Sequence, residues 1–383
     1  MRIHLIESGG FHMEFRLIKE TELTEAALLA EDVFCGNGER YMEHSFPTIF
    51  QSGMSQSYAA FNEQGKLVSF IGMVPFIVRS GDALLNAYSI GAVCTDPAYR
   101  GQGIAGKLFT LCQQHAKEAG ASLMFISGDR SLYTRAGSVA FGETGKYIIE
   151  SHVAERVEVQ PSPWTISEME PKDLFAVHNL MMHKSATIHW SINDLAQFIG
   201  ASPMANIHKM DQHIVVARTE TQEIVAIAIV AAPRNPSSDE AGILIEYAGP
   251  DAAVIELLLH SIRQFELQSL SVTIPWQDVE LANCLQAADV SVERQNNAGT
   301  VLVVDGAALI TQAGYEESDT NQLSISVLND GRYKLHTPQK SSIIGGNAEL
   351  CSLLFDPHSS IEQPGDNKIP TLALPYLYGL YFI

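Results

Sequence analysis

Basic residues are scarce in this sequence. Its 383 positions carry 24 lysines and arginines against 44 aspartates and glutamates, a formal net charge of −20 at pH 7. That balance argues against a general affinity for nucleic acid or anionic membrane, which select basic surfaces. It is compatible with attracting small cations. Cysteines in paired or metal-type spacing are also missing, because Cys35, Cys94, Cys112, Cys284 and Cys351 are scattered. They read as reduced thiols, and a cytoplasmic protein is the expectation. Long apolar runs are absent. The longest, residues 224–232, is about half of the ~20 residues a membrane helix needs. The opening "MRIHLIESGG" lacks a sustained apolar stretch and a small-residue cleavage site, so a secretory leader is not expected.

The length exceeds one ordinary core and implies two or three domains. A domain start at Met13 would make residues 1–12 an extension. The first segment runs to residue 150. It reads as a helix at "ETELTEAALLAEDVF", strands at "SYAAFNEQ" and "LVSFIGMVPFIV" joined at Gly65-Lys66, and a strand through Cys94. After these come a glycine-rich loop and helix, the strand "SLMFIS" and a closing strand "KYIIESHV". This order predicts an α/β domain of α+β type, a largely antiparallel sheet with one helix packed after its central strand. Residues 151–305 repeat the order without repeating the sequence, which reads as a duplicated fold whose second copy has diverged. Residues 306–383 read as a helix "AALITQAG", a hairpin around Asn329-Asp330-Gly331, a helix "NAELCSLLF" and an aromatic end, "PYLYGLYFI".

The stretch "DPAYRGQGIAGKLF" carries the chemistry. Unpaired amides and the helix dipole make a helix N-terminus attractive to anions. Glycines at 101, 103 and 106 let the main chain approach a bulky anion, so the loop suits a phosphate or pyrophosphate. No Gly-Lys-Ser/Thr follows as in nucleotide hydrolases, and the glycines follow a meander of strands rather than the first strand of a parallel unit.

The run Arg100-Gly101-Gln102-Gly103-Ile104-Ala105 resembles the acetyl-coenzyme A loop of the GNAT acetyltransferases, and "LYTRAGS" is similar to that family's Leu-Tyr-x-x-x-Gly-Phe. The resemblance covers residues 13–150. It implies that Arg100, Gly101, Gln102, Gly103, Ile104 and Ala105 hold the coenzyme pyrophosphate, and that the backbone of Val93, Cys94 and Thr95 pairs with the pantetheine arm. It further implies that Tyr133 donates a proton to the departing thiolate, a role open to a phenol that stays protonated at neutral pH. Ser138 stands where the family carries Phe. In the second copy the loop is replaced by "YAGPDAAVI", with Asp251 at the helix start as an expected cap that would repel a pyrophosphate, and residues 271–290 hold no tyrosine. A catalytically silent scaffold is the expectation there.

An alkylammonium acceptor with a pKa near ~10.4 is a free amine in only about one molecule in 2,500 at pH 7, equivalent to ~4.6 kcal/mol, so a base or a desolvating site is required. Asp32, Glu39, Glu43 and His44 are candidates, none singled out. The three-part plan resembles the enhanced-intracellular-survival family of aminoglycoside acetyltransferases: tandem GNAT folds, the second degenerate, then a sterol-carrier-like (SCP2-like) α/β tail. That resemblance implies that the terminal carboxylate of Ile383 serves as base opposite Tyr133; a final strand closing the tail's core is the alternative. Apolar chain ends are otherwise a liability, so "PYLYGLYFI" is expected to be buried. His178, His183 and His189 lack metal-type spacing, and no metal is expected.

The leading expectation is transfer of an acetyl group from acetyl-coenzyme A to a primary amine on a small molecule, an aminoglycoside or another polycation, in a ternary complex. A non-catalytic acyl-coenzyme A or lipid-binding module and a protein lysine acetyltransferase stand as alternatives. Neither nucleic acid nor membrane is an expected partner, and a homo-oligomer stays open.

Overall fold

The computed structural model describes residues 4–8, 11–35, 40–156, 162–235, 238–316, 322–362 and 369–383. The chain forms two compact units. One takes Met1–Phe141, Ala298–Leu372 and Ile383, and the other takes Gly142–Asn297 and Ala373–Phe382.

The first stretch holds strands β1 (His4–Ser8) and β2 (Phe11–Leu17) and helices α1 (Leu23–Phe34), α2 (Met42–Ser45) and α3 (Pro47–Phe50). Strands β3 (Tyr58–Phe61), β4 (Leu67–Ser80) and β5 (Ala83–Thr95) follow, then α4 (Ile104–Glu118), β6 (Leu123–Ile126) and α5 (Ser131–Thr134). The middle stretch begins with β7 (Glu143–Glu150), α6 (Ser151–Arg156), β8 (Thr165–Glu168), α7 (Leu174–Met182), β9 (Ala186–Ile188), α8 (Ile192–Ala201) and α9 (Pro203–Ile207). It continues with β10 (Met210–Arg218), β11 (Ile224–Pro233), β12 (Gly242–Ala248), α10 (Asp251–Gln264), β13 (Ser269–Pro275), α11 (Val279–Ala287) and β14 (Val292–Asn296). The last stretch holds β15 (Thr300–Val303), α12 (Gly306–Gln312), β16 (Ser324–Val327), β17 (Tyr333–His336), β18 (Ser341–Ile344) and α13 (Asn347–Phe355).

In the first unit the strands run in the order β1-β2-β3-β4-β5-β6-β15. All neighbours are antiparallel except β5 and β6, which pair in parallel from Ala87 opposite Leu123 to Ile90 opposite Ile126. A parallel pair needs a crossover, and α4 supplies it. Its residues Ile104, Leu108, Cys112 and Ala116 recur at helical spacing and are buried. They pack on Met73, Tyr88, Ile90, Met124 and Ile126 of the sheet. The α/β order expected from the sequence is therefore present, as a mixed and mostly antiparallel sheet.

The second unit repeats the plan, with strand order β14-β7-β13-β12-β11-β10-β8. Its parallel pair, β12 and β13, is joined through α10, whose Val254, Leu257, Leu258 and Ile262 are buried against the sheet. The strand read as closing the first segment, β7, hydrogen-bonds here, between β13 and β14. The first sheet instead ends on β15, antiparallel to β6 from Thr300 opposite Ile126 to Val303 opposite Leu123.

After β15, α12 is tied to β5 by Gln312, which accepts from Asn86 N at 2.9 Å and donates to Gly120 O at 3.0 Å. The hairpin around Asn329-Asp330-Gly331 joins β16 to β17, with Gly331 at φ 81°. Residues 369–383 form neither helix nor strand, so the alternative of a closing strand is not realised. Their apolar side chains are nonetheless buried, Leu374, Leu380 and Ile383 among them.

Candidate functional site

Strand β5 hands over to α4 through a loop whose shape the glycines set. Gly101 and Gly103 sit at φ 78° and 75°, the left-handed region in which side chains are strained. A β-carbon at either would meet no atom within 4 Å, so the loop faces open space. Gly103 caps α4, and the first intrahelical bond runs from Lys107 N to Gly103 O at 3.1 Å. The amides of the first turn are thereby left to a ligand, at the positive end of the helix dipole. Arg100 is exposed and ties the loop back to the strand end, Nε donating to Thr95 O at 3.2 Å. Asp96 steadies the approach, accepting from Ala98 N at 3.0 Å and pairing with Lys66 at 2.8 Å.

Two of the residues expected at the coenzyme site bury their side chains. Ile104 and Cys94 both lie in the core, and burial pushes the Cys94 thiol up to about 12. Only their main-chain groups can face a ligand. Gln102 is exposed, whereas Val93, Thr95 and Ala105 are half-buried.

The pairing of β5 with β6 stops at Ile90. Ser127 N reaches Ile90 O at 3.3 Å, and beyond that point β5 pairs only with β4, as in Phe70 opposite Cys94 and Ser69 opposite Thr95. The strand bends there. Ala92 is held at φ 48°, and the register with β4 slips between Phe70 and Gly72. A bulge of this kind re-aims a strand and stores about 1–3 kcal/mol of strain, a feature found at functional sites. Among the described strands none pairs with the freed edge of residues 91–95, which offers main-chain donors and acceptors to an extended ligand.

Tyr133 lies in α5, just beyond β6, and is 5% exposed. Its ring packs on Phe109 at 5.5 Å between centroids, and Gly128 lies beside it, where a β-carbon would make an ordinary contact 3.6 Å from Tyr133 Cε2. Burial pushes the phenol up to about 12, with Arg130 opposing. Its hydroxyl makes no hydrogen bond to another described residue. The backbone after it turns at Gly137, φ 94°, with Ala136 N and Ser138 N both donating to Tyr133 O. Ser138 is buried and accepts from Thr300 Oγ1 at 3.3 Å.

Ile383 is buried, 6% exposed, with its main chain against β5. A β-carbon at Gly91 would fall 2.3 Å from the Ile383 carbonyl carbon. The other candidate bases are less enclosed: Asp32, Glu43 and His44 are exposed, and Glu39 lies outside the described residues. The sequence reading passed over Glu31, which is 8% exposed on α1 and accepts from Met42 N at 2.6 Å. The signal was its place one helical turn after Ala27, on the buried face of α1. It also passed over Gly91, a glycine within an otherwise ordinary strand.

In the second unit Asp251 is the first helical residue of α10. Pro250 occupies the cap position, which corrects the expected cap. Beside it a cavity of about 390 Å³ is lined by Lys184, Tyr247, Asp251, Asp278 and Glu280, among others. Burial and the neighbouring Asp278 and Glu280 raise the Asp251 carboxyl. His178 and His183 donate to the backbone carbonyls of Trp190 and Asn179, and His189 is exposed. No group of three potential metal ligands occurs among the described residues.

Residues 14–138 match a family model described as an acetyltransferase (GNAT) domain. The whole fold is similar to a protein of Enterococcus faecalis V583 described as a probable N-acyltransferase, with TM-score 0.64 and 13% identity over 88% of this chain and 86% of that one. It is also similar to a GCN5-related N-acetyltransferase of Kribbella flavida, with TM-score 0.60 and 12% identity over 90% and 88%. Eis1 of Mycobacterium abscessus gives TM-score 0.60 and 13% identity over 87% and 85%. At these identities the likeness is one of fold. No curated protein sequence matches the chain. The domain match, together with neighbours described as N-acyl- and N-acetyltransferases, supports an acyltransferase enzyme.

Proposed function

On the premise of a GNAT acetyltransferase domain over residues 14–138, we propose that this chain transfers an acetyl group from acetyl-coenzyme A to the primary amine of a small cationic acceptor. The observation that carries the reading is the open N-terminus of α4, framed by Gly101 and Gly103, beside the point where β5 parts from β6. The amides of residues 101–105 take the pyrophosphate, Arg100 adds its charge, and the freed edge of Val93, Cys94 and Thr95 holds the pantetheine arm in extended form. The open space at Gly101 and Gly103 fits that bulk.

The chemistry needs a proton taken and a proton given. The carboxylate of Ile383 removes a proton from the acceptor ammonium, offsetting the ~4.6 kcal/mol that separates it from the free amine at pH 7. The amine nitrogen then forms its bond to the thioester carbon while the carbon–sulfur bond breaks. Tyr133 hands its phenolic proton to the departing sulfur and is restored by the second proton that the new amide nitrogen sheds, and burial keeps that phenol protonated at working pH.

The net charge of −20 favours a polycation, such as an aminoglycoside, as acceptor. The second unit acts as a silent scaffold, because Asp251 at the start of α10 and Asp278 and Glu280 across the same cavity would repel a pyrophosphate. The helix, three strands and helix that follow Asp305 support a sterol-carrier-like tail. Free cysteines suit a cytoplasmic enzyme, and no described helix is long and apolar enough to cross a membrane. The test is the initial rate of coenzyme A release with aminoglycosides, polyamines and lysine-containing peptides. Turnover confined to the peptides would move the reading to a protein acetyltransferase. Binding of acetyl-coenzyme A without turnover of any amine would reduce it to a binding module.

A further inference from the structure

Gly91 lies in β5 directly across from Gly72 of β4. Neither glycine adopts the left-handed backbone, so conformation does not demand glycine at either position. Space does. A β-carbon at Gly72 would come 2.9 Å from Gly91 O and 2.9 Å from Ile49 Cδ1. One at Gly91 would come 2.3 Å from the Ile383 carbonyl carbon and 2.6 Å from its oxygen, closer than nonbonded atoms approach. The two glycines make a gap in the sheet face, filled by the α3 side chain Ile49 and the main chain of Ile383. The gap sits one residue before the strained Ala92 and one residue after Ile90, the last residue of β5 paired with β6. It therefore opens where an acyl thioester entering between the strands would present its carbonyl.

We propose that Gly91 is a positioning residue of the transfer site: its missing side chain is the seat that fixes the Ile383 carboxyl beside the parting of β5 from β6. The inference rests on the reading of that carboxyl as the base, and it adds the element that holds it. A methyl at position 91 displaces the carboxyl without touching the glycine loop, the freed edge of residues 93–95 or Tyr133.

The experiment is a cycle of Gly91→Ala, removal of Ile383, and both together in the full chain. It is read by kcat with a simple alkylamine acceptor between pH 7 and 10 and by calorimetric binding of acetyl-coenzyme A. Gly91→Ala is expected to lower kcat at pH 7 by about a hundredfold, the lower end of what one lost acid–base contact costs, with acetyl-coenzyme A binding unchanged. The deficit narrows as pH approaches the amine's own pKa near ~10.4, where no base is needed. In the chain lacking Ile383 the added methyl costs nothing further. A Gly91→Ala enzyme with full kcat, one that loses acetyl-coenzyme A binding, or a pH-independent deficit overturns the proposal. If Gly91→Ala fails to fold, removal of Ile383 restores folding on this account, and failure to restore it overturns the seat. Removal of Ile383 that leaves kcat intact sinks the base assignment itself. A removal that lowers kcat beside a fully active Gly91→Ala sinks the seat alone.

Discussion

Arg218 in β10 grips Asp173 through two parallel hydrogen bonds, Nη1 to Oδ1 at 3.2 Å and Nη2 to Oδ2 at 2.6 Å. Asp173 also accepts from Glu170 N at 2.7 Å, fixing the turn that leads into α7. The first unit repeats the device with Arg16 and Glu22, at 2.7 and 2.8 Å, and Lys19 N donates to Glu22 at 2.9 Å. In both units a strand arginine holds the carboxylate from which a helix springs. Arg218 and Asp173 are 8% and 5% exposed, so removing the arginine strands a buried charge. Arg218→Met is expected to destabilise the second unit by about 3–5 kcal/mol in urea melts. The bond to Arg218 holds the Asp173 carboxyl below its ordinary value against the cost of burial. Its contribution is therefore present above about pH 4 and is lost as pH falls through the lowered folded value.

His115 gives a second pH dependence, closer to neutrality. It lies between Gln56 Oε1, 3.1 Å from Nε2, and the Tyr58 hydroxyl, 3.3 Å from Nδ1. With the Nε2 proton donated to Gln56 and Nδ1 accepting from Tyr58, the ring is satisfied only while neutral. Burial lowers its pKa, with Glu118 opposing. The unfolded chain thus binds the proton first, and stability declines as pH drops below about 6.5 toward the lowered folded value. His115→Gln is expected to flatten that decline in thermal melts taken between pH 7.5 and 5. An unchanged slope would mean that another group titrates there.

Tyr133→Phe keeps the ring against Phe109 and removes a hydroxyl that has no described hydrogen-bond partner. Stability should hardly change. With the general acid gone, kcat should fall about a hundredfold while the KM for acetyl-coenzyme A stays near that of the unaltered enzyme. Because burial carries the phenol up to about 12, the unaltered enzyme should show no alkaline loss of kcat from Tyr133 below pH ~10. A parallel rise in KM would reassign the residue to binding.

Gly103→Val tests the loop. Its backbone at φ 75° strains any side chain, and a β-branched one most. Nothing crowds the position, so the cost is local, about 1–3 kcal/mol, and falls on the loop's shape. Acetyl-coenzyme A affinity measured by calorimetry should drop about tenfold or more, with kcat at saturation largely retained. Unchanged affinity would remove the loop from the coenzyme site.

The parts of this protein that could be read from its sequence are those set by near neighbours in the chain. The spacing of Ile104, Leu108, Cys112 and Ala116 marked α4, and two glycines ahead of it with a third in its first turn marked the anion loop. The Asn329-Asp330-Gly331 turn marked the hairpin between β16 and β17. What escaped depends on partners distant in sequence. Nothing in "KYIIESHV" says that its strand pairs with β13 rather than beside β6, because alternating residues fit either edge. Ala92 carries no mark of its left-handed backbone, since the surrounding sheet imposes it. Gly91 looks like any strand glycine until the main chain of a residue nearly three hundred positions later is found in the space it leaves. Asp251 stands at the start of α10 as read, but as its first helical residue, with Pro250 ahead of it in the cap position.

The exchange of end strands sets the order in which this molecule can be completed during its synthesis. The sheet that carries Tyr133 and the glycine loop closes only with β15, so β6 has a bare edge until residue 303 has left the ribosome. Meanwhile β7, made early, waits for β13 and β14. A nascent chain halted at residue 150 would hold the whole glycine loop and Tyr133, yet expose β6 to any passing strand. Such a fragment is a poor candidate for an autonomous enzyme and a good one for chaperone capture. The sheet that carries the glycine loop is thus among the last parts to become finished protein.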